Sequence, residues 1–209
     1  TYNKKNVIEL CQMILNQNLK FSWSCETKIE SLDNEIIDLM VEAGMKKIGF
    51  GIESASQKTL EAFKRPTNNI AKIKKLVNYM KNKSVETVAF YIIGFPDDTW
   101  ESIQDTYNLS IDIGSTYAKF NVYIPIALYD DYNTGLEITP DISTFPYTNP
   151  SKYLTIEELD YLSNQLAIMY HSTFNSLEEG YKYHYINQID FSKTLKLLKN
   201  GYKLYNSVK

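Results

Sequence analysis

Four segments with the composition of β-strands recur along this chain, and each is followed by a stretch with helical periodicity. The segments begin near residues 21, 47, 87 and 120, and all but the first are apolar along most of their length. Near-continuous apolar strands alternating with helices are typical of a parallel sheet covered by helices. This alternation is the strongest constraint on the fold, and it predicts an α/β architecture of the (β/α), TIM-like barrel kind.

The intervals between the strands carry apolar residues at helical spacing. We predict helices over residues 4–16, 34–43, 56–63 and 70–81, and a further helix that begins after Pro96 with Asp98 or Thr99 as its N-cap. Gly44 stands where a left-handed C-cap would end the second helix. Pro66 separates the third helix from the fourth, because proline disfavours helical backbone in the residue before it.

Four strands are too few to close a barrel, which needs about eight. The first predicted helix, residues 4–16, has the character of a crossover whose own strand lies before Thr1. We therefore expect an open, partial barrel of parallel strands. We also expect one or more of its strands to precede Thr1 in the parent protein.

The pattern changes after Tyr129. Residues 130–150 are rich in Asp, Thr, Asn and Pro, and they predict a loop over the barrel rim or a linker. Thr155 and Glu158 form a capping-box pattern at the start of a long helix, and residues 191–206 predict another helix. The predicted division is a barrel part (1–129), a rim loop or linker (130–150) and a helical C-terminal extension (151–209).

Composition argues against several classes of protein. The 209 residues carry a net charge of −3, which gives no electrostatic footprint for nucleic acid. Two cysteines, Cys11 and Cys25, are too few for a disulfide framework and fit a reduced, cytoplasmic protein. No apolar run reaches the roughly 18 residues that a membrane span needs, and Thr1 does not open a signal peptide. His171 and His184 lack the spacing of a metal site, so we predict none.

Two strand ends carry the polar groups and glycines of a ligand site. The second strand runs into Glu53 and Ser54, and the third into Gly94 and Asp97. In (β/α) barrels such ends line one rim, where ligands bind. The carboxylate of Glu53 can accept two hydrogen bonds from the vicinal hydroxyl groups of a ribose. The alternative is that Glu53, Ser54 or Ser56 caps the following helix.

Arg65 and the first strand supply further candidates for ligand contact. Arg65 is the single arginine of the chain, and its planar guanidinium can donate two parallel hydrogen bonds to a carboxylate. An exposed helix end is the alternative interpretation of Arg65. Alternation along residues 21–27 places Cys25 and Thr27 on the side of Trp23, and we expect that side to face the barrel interior. A half-buried cysteine in a strand often serves packing alone.

Four strings stand in order on these elements: Trp23-Ser-Cys-Glu-Thr-Lys28, Met40-Val-Glu-Ala-Gly44, Ile48-Gly-Phe-Gly-Ile-Glu-Ser54 and Ile92-Ile-Gly-Phe-Pro-Asp97. Together they resemble the radical S-adenosylmethionine (SAM) superfamily, and most of all its members with a cobalamin-binding domain upstream. The resemblance implies a six-stranded partial barrel and a [4Fe-4S] cluster on a Cys-x3-Cys-x2-Cys loop. It also implies reductive cleavage of SAM to a 5′-deoxyadenosyl radical.

The resemblance implies roles for individual residues. Glu53 would contact the SAM ribose, and Arg65 would contact the SAM carboxylate. Ile92 would form an apolar wall beside the adenine, and Gly94 would let the backbone approach the base. The full set of cofactor-binding candidates is Cys25, Thr27, Glu53, Ser54, Arg65, Ile92 and Gly94.

Three features depart from the family pattern. Phe90 replaces the first glycine of the adenine-side motif, and Asp97 replaces its glutamate. Two cysteines cannot supply the three-cysteine loop of the family. We therefore interpret the chain as the C-terminal two-thirds of a radical SAM domain, with the cluster ligands outside it and no metal ligand within it.

The parent protein would be an oxidoreductase or transferase that modifies an unreactive position of a substrate that the sequence does not identify. Cobalamin-assisted methyl transfer and hydrogen abstraction are both compatible with the resemblance. A reductant such as flavodoxin or ferredoxin would be its partner. No catalytic residue is assigned.

Two alternatives stay open. A degenerate barrel that lost the cluster would be a non-catalytic binding or interaction module. An unrelated (β/α) enzyme would use Glu53 and Asp97 as an acid–base pair, which requires the two carboxyl groups to lie close together with separated pKa values.

Overall fold

The computed structural model describes residues 3–65, 69–124 and 151–174, without the side chains of residues 157 and 172–174. Its four strands form one parallel sheet in the order β1-β2-β3-β4. The strands are β1 (Trp23–Thr27), β2 (Met45–Glu53), β3 (Glu86–Ile93) and β4 (Tyr117–Val122). The predicted α/β architecture with parallel strands is confirmed.

A helix follows each of the first three strands, as the periodicity predicts. The helices are α1 (Lys4–Asn16), α2 (Asn34–Glu42), α3 (Gln57–Ala62), α4 (Ile70–Asn82), α5 (Trp100–Ile113) and α6 (Ile156–Phe174), with a short 3-10 helix over Ile29–Ser31. The predicted loop 130–150 and the predicted helix 191–206 lie outside the described residues.

Local capping explains where the helices begin and end. Gly44 has φ of 98° directly after α2, which confirms the left-handed C-cap. Thr99, rather than Asp98, is the N-cap of α5. The capping box at α6 is present, since the Thr155 amide donates to Glu158 Oε2 at 2.8 Å and the Glu158 amide donates to Thr155 Oγ1 at 3.2 Å.

The fourth strand begins at Tyr117 and ends at Val122, whereas the sequence predicted residues 120–126. Reciprocal hydrogen bonds pair Thr87, in β3, with Thr116, directly before β4: the Thr87 amide donates to Thr116 Oγ1 at 3.0 Å, and the Thr116 amide donates to Thr87 Oγ1 at 2.9 Å. Lys119 and Asn121 lie on the exposed side of this strand. Their polarity hid the start of the strand from a search for apolar runs.

The described helices build the core on one face of the sheet. That face carries Ile48, Phe50 and Ile52 of β2 and Ala89, Tyr91 and Ile93 of β3, all of them buried. They pack with the buried apolar residues of α2, α4, α5 and α6 in one core. The helix α6 packs along β4, and its buried Leu159, Leu162, Leu166 and Tyr170 belong to that core.

The described helices include none that is long and apolar enough to cross a membrane.

Gly94 provides a test of how α6 packs on the sheet. Its φ is 84°, and a Cβ on it would lie 2.7 Å from Leu159 Cδ1. Gly114, the C-cap of α5, has φ of 64° but meets nothing closer than 3.8 Å. We expect Gly94→Ala to lower the free energy of unfolding by about 2–4 kcal/mol, as the sum of backbone strain and overpacking.

Gly114→Ala is the matched control, and we expect it to lose only about 1 kcal/mol from the left-handed backbone. Urea unfolding followed by circular dichroism measures both values. An equal decrease of the free energy of unfolding in the two variants would show that Leu159 does not pack closely against Gly94.

Candidate functional site

The register of the strands divides the side chains between two faces. Glu26 pairs with Gly49, Gly51 with Phe90, Phe90 with Lys119, and Ile92 with Asn121. We call the face that bears these residues the open face, because the buried core lies on the opposite face. It consists of Ser24, Glu26, Lys47, Gly49, Gly51, Glu86, Val88, Phe90, Ile92, Tyr117, Lys119 and Asn121. In (β/α) barrels the corresponding face points inward, and ligands bind at its carboxyl edge.

Glu53 lies at that edge in an unusual backbone conformation. The register with β3 shifts between Gly51 and Glu53, and Glu53 has φ of 69°. Its side chain folds back over Gly51, since a Cβ on Gly51 would lie 2.5 Å from Glu53 Oε1. Positive φ at a residue other than glycine costs about 1–3 kcal/mol, and residues strained in this way cluster at functional sites. The strained backbone thus places a carboxylate on the open face.

The Glu53 carboxylate is poorly compensated. Its side chain is 18% exposed, and the nearest cation is Arg65, with Nη1 3.7 Å from Oε1. That distance is too long for a hydrogen bond, and no other described residue donates one to this carboxylate. Burial raises the pKa of Glu53, and the charge of Arg65 opposes the shift only in part. A half-buried acid without donors is suited to accept hydrogen bonds from a ligand.

The segment that carries Arg65 is anchored by three aromatic rings. Phe63 lies 4.7 Å from Phe95 and 5.1 Å from Tyr123, and Phe95 lies 4.9 Å from Tyr123, between ring centroids. The Arg65 amide also donates to the carbonyl of Leu60 at 2.7 Å. The rings join the end of α3 to the ends of β3 and β4, which keeps the half-exposed guanidinium near Glu53. The sequence analysis did not identify this cluster, because its members are far apart in the chain.

Ser54 has a structural role in the turn after β2. It is 2% exposed, and its hydroxyl accepts a hydrogen bond from the Ser56 amide at 3.1 Å. Ser56 is the N-cap of α3 and accepts from the Thr59 amide at 3.2 Å. The structure therefore supports the capping alternative for this turn, and it does not bring the Ser54 hydroxyl to the open face.

Ile92 lies on the open face beside Asn121 and is partly exposed. Gly94, two residues later, is buried and has positive φ. The neighbour that approaches it closely is Leu159 of α6, so helix packing by itself explains why this position is glycine. Ile92 is thus available to a ligand at the strand end, and the predicted role of Gly94 beside a base gains no support.

Two adjacent acids follow β3, and they differ sharply. Asp97 is exposed, and Lys152 at 2.6 Å holds its pKa below the ordinary value. Asp98 is 4% exposed and accepts hydrogen bonds from the amides of Gly94 at 2.9 Å and Phe95 at 3.0 Å. Burial raises the pKa of Asp98 against these bonds. Asp98, which the sequence analysis considered only as a cap, is the acid that shapes the turn.

The prediction that Cys25 and Thr27 face the barrel interior is wrong. The alternation along β1 is correct, but Trp23 lies on the helix-covered side, where its indole N–H donates to the Ala43 carbonyl at 2.8 Å. Cys25 follows it and packs against the core. Thr27 Oγ1 lies 3.2 Å from Ser31 Oγ, in the turn that follows. Neither side chain lies on the open face with Glu53.

The described residues do not fit a [4Fe-4S] cluster, which needs several thiolates. Cys11 is buried in α1 and Cys25 is half-buried, and burial raises the pKa of both thiols. No group of three or more His, Cys, Asp or Glu side chains in the described ranges is arranged to hold a metal ion. His171 packs between the rings of Tyr117 and Tyr170, and His184 lies outside the described residues.

Comparison with known proteins finds curated relatives that match more than half of the chain. Over 169 residues the chain is 27% identical to the anaerobic magnesium-protoporphyrin IX monomethyl ester cyclase of Cereibacter sphaeroides, covering 76% of this chain and 27% of the relative. Over 128 residues it is 30% identical to an uncharacterized methyltransferase of Pyrococcus horikoshii, covering 60% and 27%. The chain thus spans about a quarter of the length of these relatives.

Two solved structures share the fold. A radical SAM methyltransferase, TsrM of Kitasatospora setae with cobalamin and a [4Fe-4S] cluster bound, matches with a TM-score of 0.53 and 15% identity over 59% of this chain and 25% of that one. Coproporphyrinogen III oxidase of Escherichia coli, described as a radical SAM enzyme, matches with a TM-score of 0.52 and 19% identity over 59% and 29%. The family model described as the Radical SAM superfamily matches residues 1–110, more than half of the chain. The chain belongs to the radical SAM superfamily.

Proposed function

We propose that the carboxyl edge of the open face binds SAM, with the Glu53 carboxylate accepting hydrogen bonds from the ribose hydroxyl groups. The observation that carries this proposal is the strained, half-buried Glu53, which has no hydrogen-bond donor among the described residues. A ribose supplies two neighbouring O–H donors, and charge-assisted hydrogen bonds of this type are strong. The burial and the strain would then be compensated on binding.

Two neighbours of Glu53 fit the rest of the cofactor. The guanidinium of Arg65 is half-exposed and 3.7 Å from Glu53 Oε1, so it can turn toward the SAM carboxylate. The partly exposed Ile92 offers an apolar contact for the adenine ring. Ser54, Cys25 and Thr27 have no place in this site, because their side chains lie in the buried turn or toward the helix-covered face.

The whole protein, in this proposal, is a radical SAM enzyme whose [4Fe-4S] ligands lie outside these 209 residues. The cluster would pass on the electron that cleaves SAM, and a flavodoxin or ferredoxin would donate that electron to the cluster. The relatives named above support a methyltransferase or a cyclase as the class of reaction, with cobalamin in an upstream domain as one form. The contribution of this chain is to hold and orient SAM beside the substrate. A reduced, cytoplasmic setting stays a prediction.

The acid–base alternative receives little support from the electrostatics. The pKa of Glu53 is raised by burial and opposed by Arg65. The pKa of Asp97 is lowered by Lys152 and Lys58. Neither carboxyl group contributes to the pKa of the other, which argues against a coupled pair. The experiment that follows separates a barrel that binds the nucleoside from a non-catalytic module that keeps only the fold.

The role of Glu53 can be tested with nucleosides, which need no cluster. We expect the chain to bind adenosine more tightly than 2′,3′-dideoxyadenosine, because only adenosine offers hydroxyl groups to Glu53. Glu53→Gln should weaken adenosine binding by about 10-fold or more and abolish the preference, since it removes charge-assisted hydrogen bonds. Saturation-transfer NMR titrations measure the dissociation constants.

Glu42→Gln, an exposed acid at the end of α2, is the matched control and should bind as the unmodified chain does. Equal binding of the two nucleosides to the unmodified chain would contradict the proposal. In that case the groove would be a relic of the fold, and the binding-module alternative would gain support.

The pKa of Glu53 predicts a specific pH dependence of stability. Because the folded state raises this pKa, ionisation of Glu53 disfavours folding as pH rises through the raised value. Below the ordinary glutamate pKa the group is neutral in both states and has no such cost. We therefore expect Glu53→Gln to match the unmodified chain at about pH 4 and to be the more stable of the two near pH 7.

Urea unfolding at several pH values measures this difference, with Glu42→Gln, an exposed acid away from the strand ends, as the control variant. A Glu53→Gln variant that is less stable near pH 7 would show that Arg65 outweighs burial and that the carboxylate is compensated without a ligand.

A further inference from the structure

Lys119 is the cation on the open face whose role the cofactor site does not explain. It is exposed, and its Nζ lies 5.8 Å from the centroid of the Phe90 ring. Among the described residues no carboxylate pairs with it. The other lysine of the open face, Lys47, is paired with Glu86 at 3.5 Å. The ammonium of Lys119 is therefore held over an aromatic ring and available to an anion.

The position of the Phe90 ring depends on Gly49. A Cβ on Gly49 would lie 2.8 Å from Phe90 Cε2 and 3.1 Å from Glu26 Cγ. The ring thus leans across β2 through space that only glycine leaves empty. Phe90 is partly exposed, so part of the ring is accessible on the open face.

Three groups of different chemistry lie side by side in one row across the strands. Gly51, Phe90 and Lys119 are register partners on adjacent strands, and the Glu53 carboxylate lies over Gly51. Strands in a sheet are about 4.8 Å apart, so the backbones of Gly51 and Lys119 are separated by about 10 Å. The row therefore runs from a carboxylate, across an aromatic ring, to an ammonium.

We propose that Phe90 and Lys119 form a substrate subsite that takes a flat, conjugated ring carrying a carboxylate, next to the cofactor at Glu53. This inference rests on the proposed function for the cofactor side of the row. The ring of the substrate would lie against Phe90, and its carboxylate would pair with Lys119. A carboxylate fits better than a phosphate, because the row offers one unpaired cation. Asn121, one level closer to the strand ends, adds an amide beside Lys119.

The alternative is that Phe90 and Lys119 only fill the interior of the barrel, as side chains do in barrel cores. The two cases differ in whether the row discriminates between ligands by charge. A filling role requires no selectivity for a bound anion.

Binding of 6-fluoro-2-naphthoate to the 209-residue chain, followed by ¹⁹F NMR, tests the subsite. We expect millimolar binding that weakens at least 5-fold in Lys119→Gln and at least 3-fold in Phe90→Leu. Lys75→Gln, an exposed lysine on α4, is the matched control and should leave binding unchanged. The amine analogue, 6-fluoro-2-naphthylmethylamine, should bind more weakly than the naphthoate, and Lys119→Gln should not weaken its binding.

The proposal is overturned if the unmodified chain does not bind the naphthoate, if Lys119→Gln binds it equally well, or if the amine binds as tightly. Circular dichroism melting confirms that each variant is folded.

Adenosine binding in Lys119→Gln separates this inference from the proposed function. Unchanged adenosine binding supports two separate sites, whereas its loss would assign Lys119 to the cofactor site and overturn the substrate subsite. Naphthoate binding that depends on Lys119, in a chain that does not bind adenosine, would support the anion subsite and contradict the cofactor site.

Discussion

The carboxylate of Glu53 is held over Gly51 at the point where β2 stops pairing regularly with β3, and the character of the whole strand-end edge depends on this placement. The register shift and the positive φ turn the side chain back onto the open face instead of outward to solvent. Gly51 must lack a side chain to admit it. The carboxylate is then half-buried, only weakly paired with Arg65, and short of hydrogen-bond donors. Backbone strain and an uncompensated acid at one residue are costs that a bound ligand can offset.

The rest of the molecule keeps this edge in position. Asp98 fixes the turn after β3 by accepting from two backbone amides, and Leu159 of α6 packs onto Gly94 in the same turn. The Phe63, Phe95 and Tyr123 rings hold the segment that leads to Arg65. Core packing on one face thus supports a polar edge on the other. The same arrangement is general in (β/α) folds, because the packed scaffold fixes the strand ends on which different chemistries are built.

The sequence was sufficient to predict the order of strands and helices, the Gly44 cap and the Thr155–Glu158 capping box, because each of these is encoded within a few neighbouring residues. It also singled out Glu53 and Arg65, which the structure brings within 3.7 Å. It failed where the outcome depends on packing between distant segments. The direction of Cys25 and Thr27 is set by Trp23 docking on Ala43, and an alternating strand does not show which side the helices will cover. The burial of Asp98, next to the exposed Asp97, likewise depends on how the turn folds.

The most direct test of this account is the titration of the Glu53 side-chain carboxyl carbon by ¹³C NMR, with and without saturating adenosine. Burial should give a pKa above the ordinary glutamate value in the free chain. Hydrogen bonds from the ribose hydroxyl groups would stabilise the charged form, so the pKa should fall when adenosine is bound. A pKa that stays the same with adenosine bound would show that Glu53 does not accept hydrogen bonds from the ribose. The proposed role of Glu53 in binding SAM would then be wrong.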